Sequence, residues 1–195
     1  MYHPNLTLPN LLTASRLALV PVVVWHIVHG HTWGAFGWFV LAAVTDLLDG
    51  NLARWLGQKS VLGAWLDPIA DKAMLLSTLL ALAWAGSLPG WLAAVVVVRD
   101  AVVLGGAGAY RWLTGRLEVA PTLSGKAATF AEFTLVSLIL ADLALGPGLF
   151  KWLEPLIALT ALLVVASGLH YVVLWSRKTR DFLRSRQVSG PHSLN

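Results

Sequence analysis

What most constrains this chain is a succession of apolar stretches, each about as long as a membrane is thick, separated by glycine, proline and polar clusters. A helix needs about 20 residues to cross the hydrocarbon core. Stretches of that length lie near residues 9–29, 33–56, 62–85, 89–114, 124–146 and 151–176. Lipid offers no partner to backbone amides, so helices are the natural way for such a chain to span it. Composition agrees: 57% of the 195 residues are hydrophobic and 12% are charged, a charged share about half that of a soluble domain. The expected fold is therefore an all-α integral membrane protein with six transmembrane helices. Residues 1–178 are expected to form one domain. Residues 179–195 are expected to be a basic cytoplasmic tail, its end "RSRQVSGPHSLN" disordered.

Charge asymmetry sets the expected orientation. One set of connections holds Arg54, Lys59, Arg111, Arg116 and Lys126, and the C-terminal region adds Arg177, Lys178, Arg180, Arg184 and Arg186. The opposite loops, "VHGHTWG", "AGSLPG" and "LGPGLFK", contain Lys151 as their only Lys or Arg. The positive-inside rule then puts both termini in the cytoplasm, which an even number of spans allows. Trp33, Trp91 and Trp152 fit an outer aromatic belt, and Trp55, Trp112 and Trp175 an inner one. The net charge of +4 comes from residues beside apolar spans, so the expected partner is an anionic bilayer surface and not nucleic acid. With no cysteine, disulfides and thiolate metal sites are excluded. The N-terminus lacks the basic start of a signal peptide, and Arg16 would break its apolar core, so it reads as retained. His26, His29 and His31 fall at the outer end of the first span and read as interfacial.

Against this background "DLLDGNLARWLGQKSVLGAWLDPIADK" (46–72) is anomalous, with four aspartates in a short stretch. Asp46, Asp49, Gly50, Ala53 and Arg54 follow the i, i+3, i+4, i+7, i+8 series and share one helical stripe. Gly63, Asp67 and Asp71 repeat at i, i+4, i+8 on the next helix. A short connection makes these helices antiparallel neighbours, so their stripes are expected to face each other. Pairing with Arg54 and Lys72 would be the purely structural use of these acids, but four carboxylates outnumber those cations. All-oxygen ligation suits hard ions, Mg²⁺ or Mn²⁺. Four carboxylates can hold two such ions, an arrangement that assists displacement at phosphorus.

This stretch resembles the signature of the CDP-alcohol phosphatidyltransferases, D-x2-D-G-x2-A-R-x8-G-x3-D-x3-D. Asp46, Asp49, Gly50, Ala53, Arg54, Gly63, Asp67 and Asp71 occupy all of its fixed positions. The resemblance implies a six-helix membrane enzyme, usually a homodimer, with its active site at the cytoplasmic side, here of a bacterial inner membrane. It further implies that CDP-diacylglycerol donates a phosphatidyl group and CMP leaves. By likeness, Asp46, Asp49, Asp67 and Asp71 hold two metal ions, and Asp71 is also the general base. Gly50, Ala53, Arg54 and Gly63, with Asp46, Asp49 and Asp67, would bind the CDP-lipid.

The acceptor is expected to be an anionic, glycerol-based molecule. Asn10 and Thr13 read as caps of the first helix, whereas Arg16 lies deeper. Arg99 and Asp100 fall well inside the fourth span, and adjacent helical residues do not share a face, so separate partners are expected. Arg16, Arg99 and Lys126 could together bind the acceptor's phosphate; structural pairing, such as Arg99 with Glu132, competes with that role. "LPNLLTASRLALVPVVV" and "LGAWLDPIADKAML" are similar to phosphatidylglycerophosphate synthases, which use glycerol 3-phosphate. The pair Arg99-Asp100, "PTLSGKAAT" and "HYVVLWSRKTR" look more like the cardiolipin synthases, which use phosphatidylglycerol. A cation transporter is the alternative of a different class, since membrane carboxylates also mark ion pathways.

Overall fold

A computed structural model describes the backbone of residues 8–56, 61–115, 122–146 and 148–188, and the side chains of 13–46, 67, 69–115, 122–146, 148–182 and 184. The described chain forms six helices: α1 (Leu8–Val28), α2 (Thr32–Leu56), α3 (Val61–Trp84), α4 (Gly90–Thr114), α5 (Leu123–Leu145) and α6 (Leu153–Val188). The first five follow the apolar periods to within a residue or two at each end. Glycines stop two of them. Gly30 (φ 72°) donates to the carbonyl of Ile27 after α1, and Gly86 (φ 76°) to that of Ala83 after α3; this left-handed cap is one that a side chain would strain. Among the described residues three stretches are long and apolar enough to cross a membrane, Gly90–Thr114, Leu123–Leu145 and Leu153–Phe182, and a shorter apolar stretch covers Thr13–Val28.

The residues group into two compact units. The first comprises 1–93 and 132–156, the second 94–131 and 157–195. In the first unit α1 packs against both α2 and α3. Each helix turns one stripe inward: Thr13, Arg16, Val23 and Ile27 from α1, Ala35, Phe39 and Ala42 from α2, and Ala70, Met74, Thr78 and Leu82 from α3. Small residues at Ala35, Ala42 and Ala70 let the backbones approach, which is how helices associate in a solvent as apolar as themselves.

The second unit is built along the inner stripe of α6, where Ser167, Tyr171 and Trp175 recur every four residues and are buried. Trp175 packs with Ala107, Val103 and Tyr110 of α4, and Gly106 leaves room for its ring. Trp175 therefore departs from its expected place in an aromatic belt: it is 8% exposed, against 86% for Trp112. A second departure concerns the end of α6, which continues as helix to Val188. The first residues of the expected disordered tail are thus helical. The reason is local: Arg, Lys, Leu and Gln are good helix formers, so the helix outruns its apolar part.

Candidate active site

The site is assembled around α2 and α3, the helices that carry the signature residues, but the residues that join its carboxylates come from α1. Thr13 and Arg16 stand one turn apart on the inward stripe of α1, both buried. The Thr13 hydroxyl donates to Oδ1 of Asp67. Arg16 reaches two helices at once, with Nη2 2.7 Å from Asp46 Oδ1 on α2 and Nη1 donating to Asp71 Oδ1 on α3. Charge-assisted bonds of this type are the strong ones. The guanidinium is 3% exposed, whereas the side chains of Asp46 and Asp71 are 45% and 51% exposed. One face of each carboxylate is thus fixed by the protein and the other remains open to an incoming group.

Thr13 is consequently no helix cap, since α1 begins at Leu8 and Thr13 lies in its second turn. Three residues apart, Thr13 and Arg16 are neighbours on a helix by spacing alone. That spacing carries no sign that they reach the aspartates, because a contact between helices leaves no period in either one.

Asp46, Asp67 and Asp71 offer only oxygen, which suits a hard divalent cation, and the Arg16 guanidinium already sits against two of them. Donor chemistry fits Mg²⁺ or Mn²⁺. Among the described residues no three acidic or histidine side chains are gathered around one point as ligands of a single ion. The side chains of Asp49, Gly50, Ala53, Arg54, Gly63 and Asn10 lie outside the described residues.

Arg99 and Lys126 belong to the second unit. Arg99 is 8% exposed, and its donors are engaged: Nη1 bonds Asp100 Oδ1 at 2.9 Å, Nη2 bonds Ser167 Oγ at 3.0 Å and the Gly125 carbonyl at 3.4 Å, and Nε bonds Ser167 Oγ at 3.3 Å. Its Cζ also lies 5.8 Å from the centre of the Tyr171 ring. The expectation of separate partners for Arg99 and Asp100 is corrected here. The backbone does point adjacent residues apart, but an arginine side chain is long enough to curl back to its neighbour. Gly125 is needed for this packing, because a Cβ there would stand 2.9 Å from the Tyr171 hydroxyl. Thr122 accepts from the Gly125 amide at 3.1 Å, an N-cap for α5, and exposed Lys126 follows in the first turn.

The histidines around the end of α1, His26, His29 and His31, have local partners. His26 Nδ1 and His29 Nδ1 lie 2.8 Å from the carbonyls of Val22 and Trp25, and the Trp25 ring stacks on His29 with centroids 4.4 Å apart.

The sequence model of the CDP-alcohol phosphatidyltransferase family matches residues 6–175. The chain is similar to a cardiolipin synthase (CMP-forming) of Streptomyces coelicolor, 41% identical over 144 residues, covering 70% of this chain and 66% of that protein. It is also similar to a probable cardiolipin synthase (CMP-forming) of Drosophila melanogaster, 34% identical over 191 residues, covering 86% of this chain and 57% of that protein. A chloroplastic CDP-diacylglycerol–glycerol-3-phosphate 3-phosphatidyltransferase 1 of Oryza sativa subsp. japonica is 43% identical over 102 residues, covering 52% of this chain and 31% of that protein. The chain thus spans somewhat less than two thirds of the length of the cardiolipin synthases it matches.

Proposed function

This chain belongs to the CDP-alcohol phosphatidyltransferase family, and on that footing we propose that it is a membrane enzyme of phospholipid synthesis that transfers a phosphatidyl group from CDP-diacylglycerol to phosphatidylglycerol, forming cardiolipin and CMP. The observation that carries the reading is the joining of Asp46, Asp67 and Asp71 through α1, at the positions where the sequence follows the family signature.

In the proposed reaction the acceptor's hydroxyl oxygen bonds to the lipid-side phosphorus, the anhydride oxygen departs with CMP, and the hydroxyl proton passes to a carboxylate. Asp71 is our choice for that base, because an alcohol is a weak nucleophile until its proton has somewhere to go. Asp46, Asp49, Asp67 and Asp71 would hold two Mg²⁺ or Mn²⁺ ions, which supply neutralisation of the diphosphate charge. Gly50, Ala53, Arg54 and Gly63 are assigned to the cytidine and diphosphate on the strength of the motif. Arg16, Arg99 and Lys126 are proposed to meet the acceptor's phosphate, with the exposed Lys126 the most accessible of the three. The proposal further takes all six helices as membrane spans, both termini and the active site as cytoplasmic in a bacterial inner membrane, and a homodimer as the working unit. Support for the orientation comes from the basic residues, which fall almost entirely on one set of loops.

The names borne by the Streptomyces and Drosophila relatives favour phosphatidylglycerol as acceptor. A second reading, transfer to glycerol 3-phosphate, is favoured by the name of the rice relative. An acceptor competition tests the choice. Purified protein is given labelled CDP-diacylglycerol with both acceptors together, and the labelled lipid is identified. Cardiolipin is the expected product; phosphatidylglycerophosphate would establish the second reading.

A further inference from the structure

In the first unit the carboxylates already hold a cation. Arg16 is permanently charged, is 2% exposed, and places its terminal nitrogens on Oδ1 of Asp46 and Oδ1 of Asp71. A divalent ion ligated by those same oxygens would meet the guanidinium at close range, where like charges repel strongly in a medium less polar than water. The two cations therefore compete for the pair. Removing Arg16 from the pair would, however, strand a buried positive charge, which is costly unless an anion replaces the carboxylates.

We propose that Arg16 is an exchangeable counter-cation. It bridges Asp46 and Asp71 in the metal-free protein, yields them when a divalent ion enters, and then takes the phosphate of the acceptor. Metal loading and acceptor binding become one coupled event, in the order metal first. The inference rests on the proposed function for the identity of metal and acceptor, and it makes Arg16 a positioning residue for the former and a ligand for the latter. Thermodynamic linkage fixes a corollary: the ion must raise the affinity for the acceptor's anion by the factor with which the anion raises affinity for the ion.

The test uses the full chain in nanodiscs without CDP-lipid. Mn²⁺ binding is followed by the paramagnetic resonance of the free ion, and glycerol 3-phosphate serves as a soluble carrier of the acceptor's phosphate. Arg16→Gln should bind Mn²⁺ about tenfold more tightly than wild type, because a competing charge is gone. Arg16→Lys, which keeps the charge, should not. In wild type, saturating Mn²⁺ should tighten glycerol 3-phosphate binding about tenfold, within the usual range of coupling between sites, and in Arg16→Gln that gain should vanish. Unchanged or weaker Mn²⁺ binding by Arg16→Gln would overturn the proposal, since Arg16 would then be organising the carboxylates for the ion. Should Arg16→Gln fail to fold, the wild-type coupling decides, and glycerol 3-phosphate binding indifferent to Mn²⁺ overturns it. CMP release from CDP-diacylglycerol, assayed on the same preparation, is a separate readout. Its failure alongside tighter Mn²⁺ binding in Arg16→Gln would remove the proposed function and leave the exchange standing.

Discussion

Arg99 illustrates what a charge requires if it is to stay inside a helical unit. Its guanidinium is surrounded by Asp100, Ser167, the Gly125 carbonyl and the Tyr171 ring, so the charge is matched and each nitrogen has an acceptor. Arg99→Ala leaves Asp100 buried without that partner and should cost about 3–5 kcal/mol of stability, read as a lower denaturation midpoint. The proposed contact with the acceptor's phosphate adds a raised acceptor KM to that loss; a lowered midpoint with KM unchanged would make Arg99 structural alone. Gly125→Ala places a methyl group against Tyr171 and Thr122, and overpacking of this kind costs about 1–3 kcal/mol; a variant as stable as wild type would show that Tyr171 can retreat. Asp71→Asn should lower kcat by about 100-fold or more, the usual worth of a general base, while CDP-lipid binding, measured by titration, stays largely intact. Lost binding with retained turnover would instead make Asp71 a ligand only. At this scale the sequence shows which residue types matter, since an aspartate repeated along a stripe of an apolar helix has few uses. It does not show partners. Arg16 stood out as a charge too deep to be a cap, yet its bridge between Asp46 and Asp71 depends on how three helices meet.

Among the elements, helix limits were the most legible feature, because glycines, prolines and polar clusters punctuate the apolar runs. α1 to α5 begin and end within about two residues of those marks. α6 was less legible. Its polar continuation past Ser176 has no apolar run to mark it, yet it remains helical to Val188. The turn between α5 and α6 has a device of its own. Asp142, buried near the end of α5, accepts from the Gly148 amide at 3.0 Å and the Phe150 amide at 2.9 Å, and so ties the loop back to the helix that precedes it. Asp142→Leu, similar in size but unable to accept either bond, should lower the thermal midpoint and speed proteolysis at 148–152. An equal cleavage rate would mean the loop is held by other contacts.

For the whole molecule, the proposed topology makes a prediction that this chain is well suited to test, because it contains no cysteine. A single cysteine at Ser87, in the turn after α3, should react with an impermeant maleimide added outside intact cells. One at Arg180 should react only after the membrane is opened. The reverse pattern would invert the protein and move the aspartates to the outer face. Family membership itself was legible in the fixed positions of one motif, whereas the acceptor was not, because stretches of this chain resemble enzymes that use different acceptors. The central claim is that opposed carboxylates in a membrane helical unit drive phosphatidyl transfer. Its most direct test is the stoichiometry of the reaction: purified protein, CDP-diacylglycerol, phosphatidylglycerol and Mn²⁺, with CMP and new lipid counted together. The account predicts one CMP for each cardiolipin, and neither product when Asp67 is replaced by asparagine or the ion is chelated. CMP release that persists under either condition, or cation movement across vesicles with no CMP formed, would contradict it.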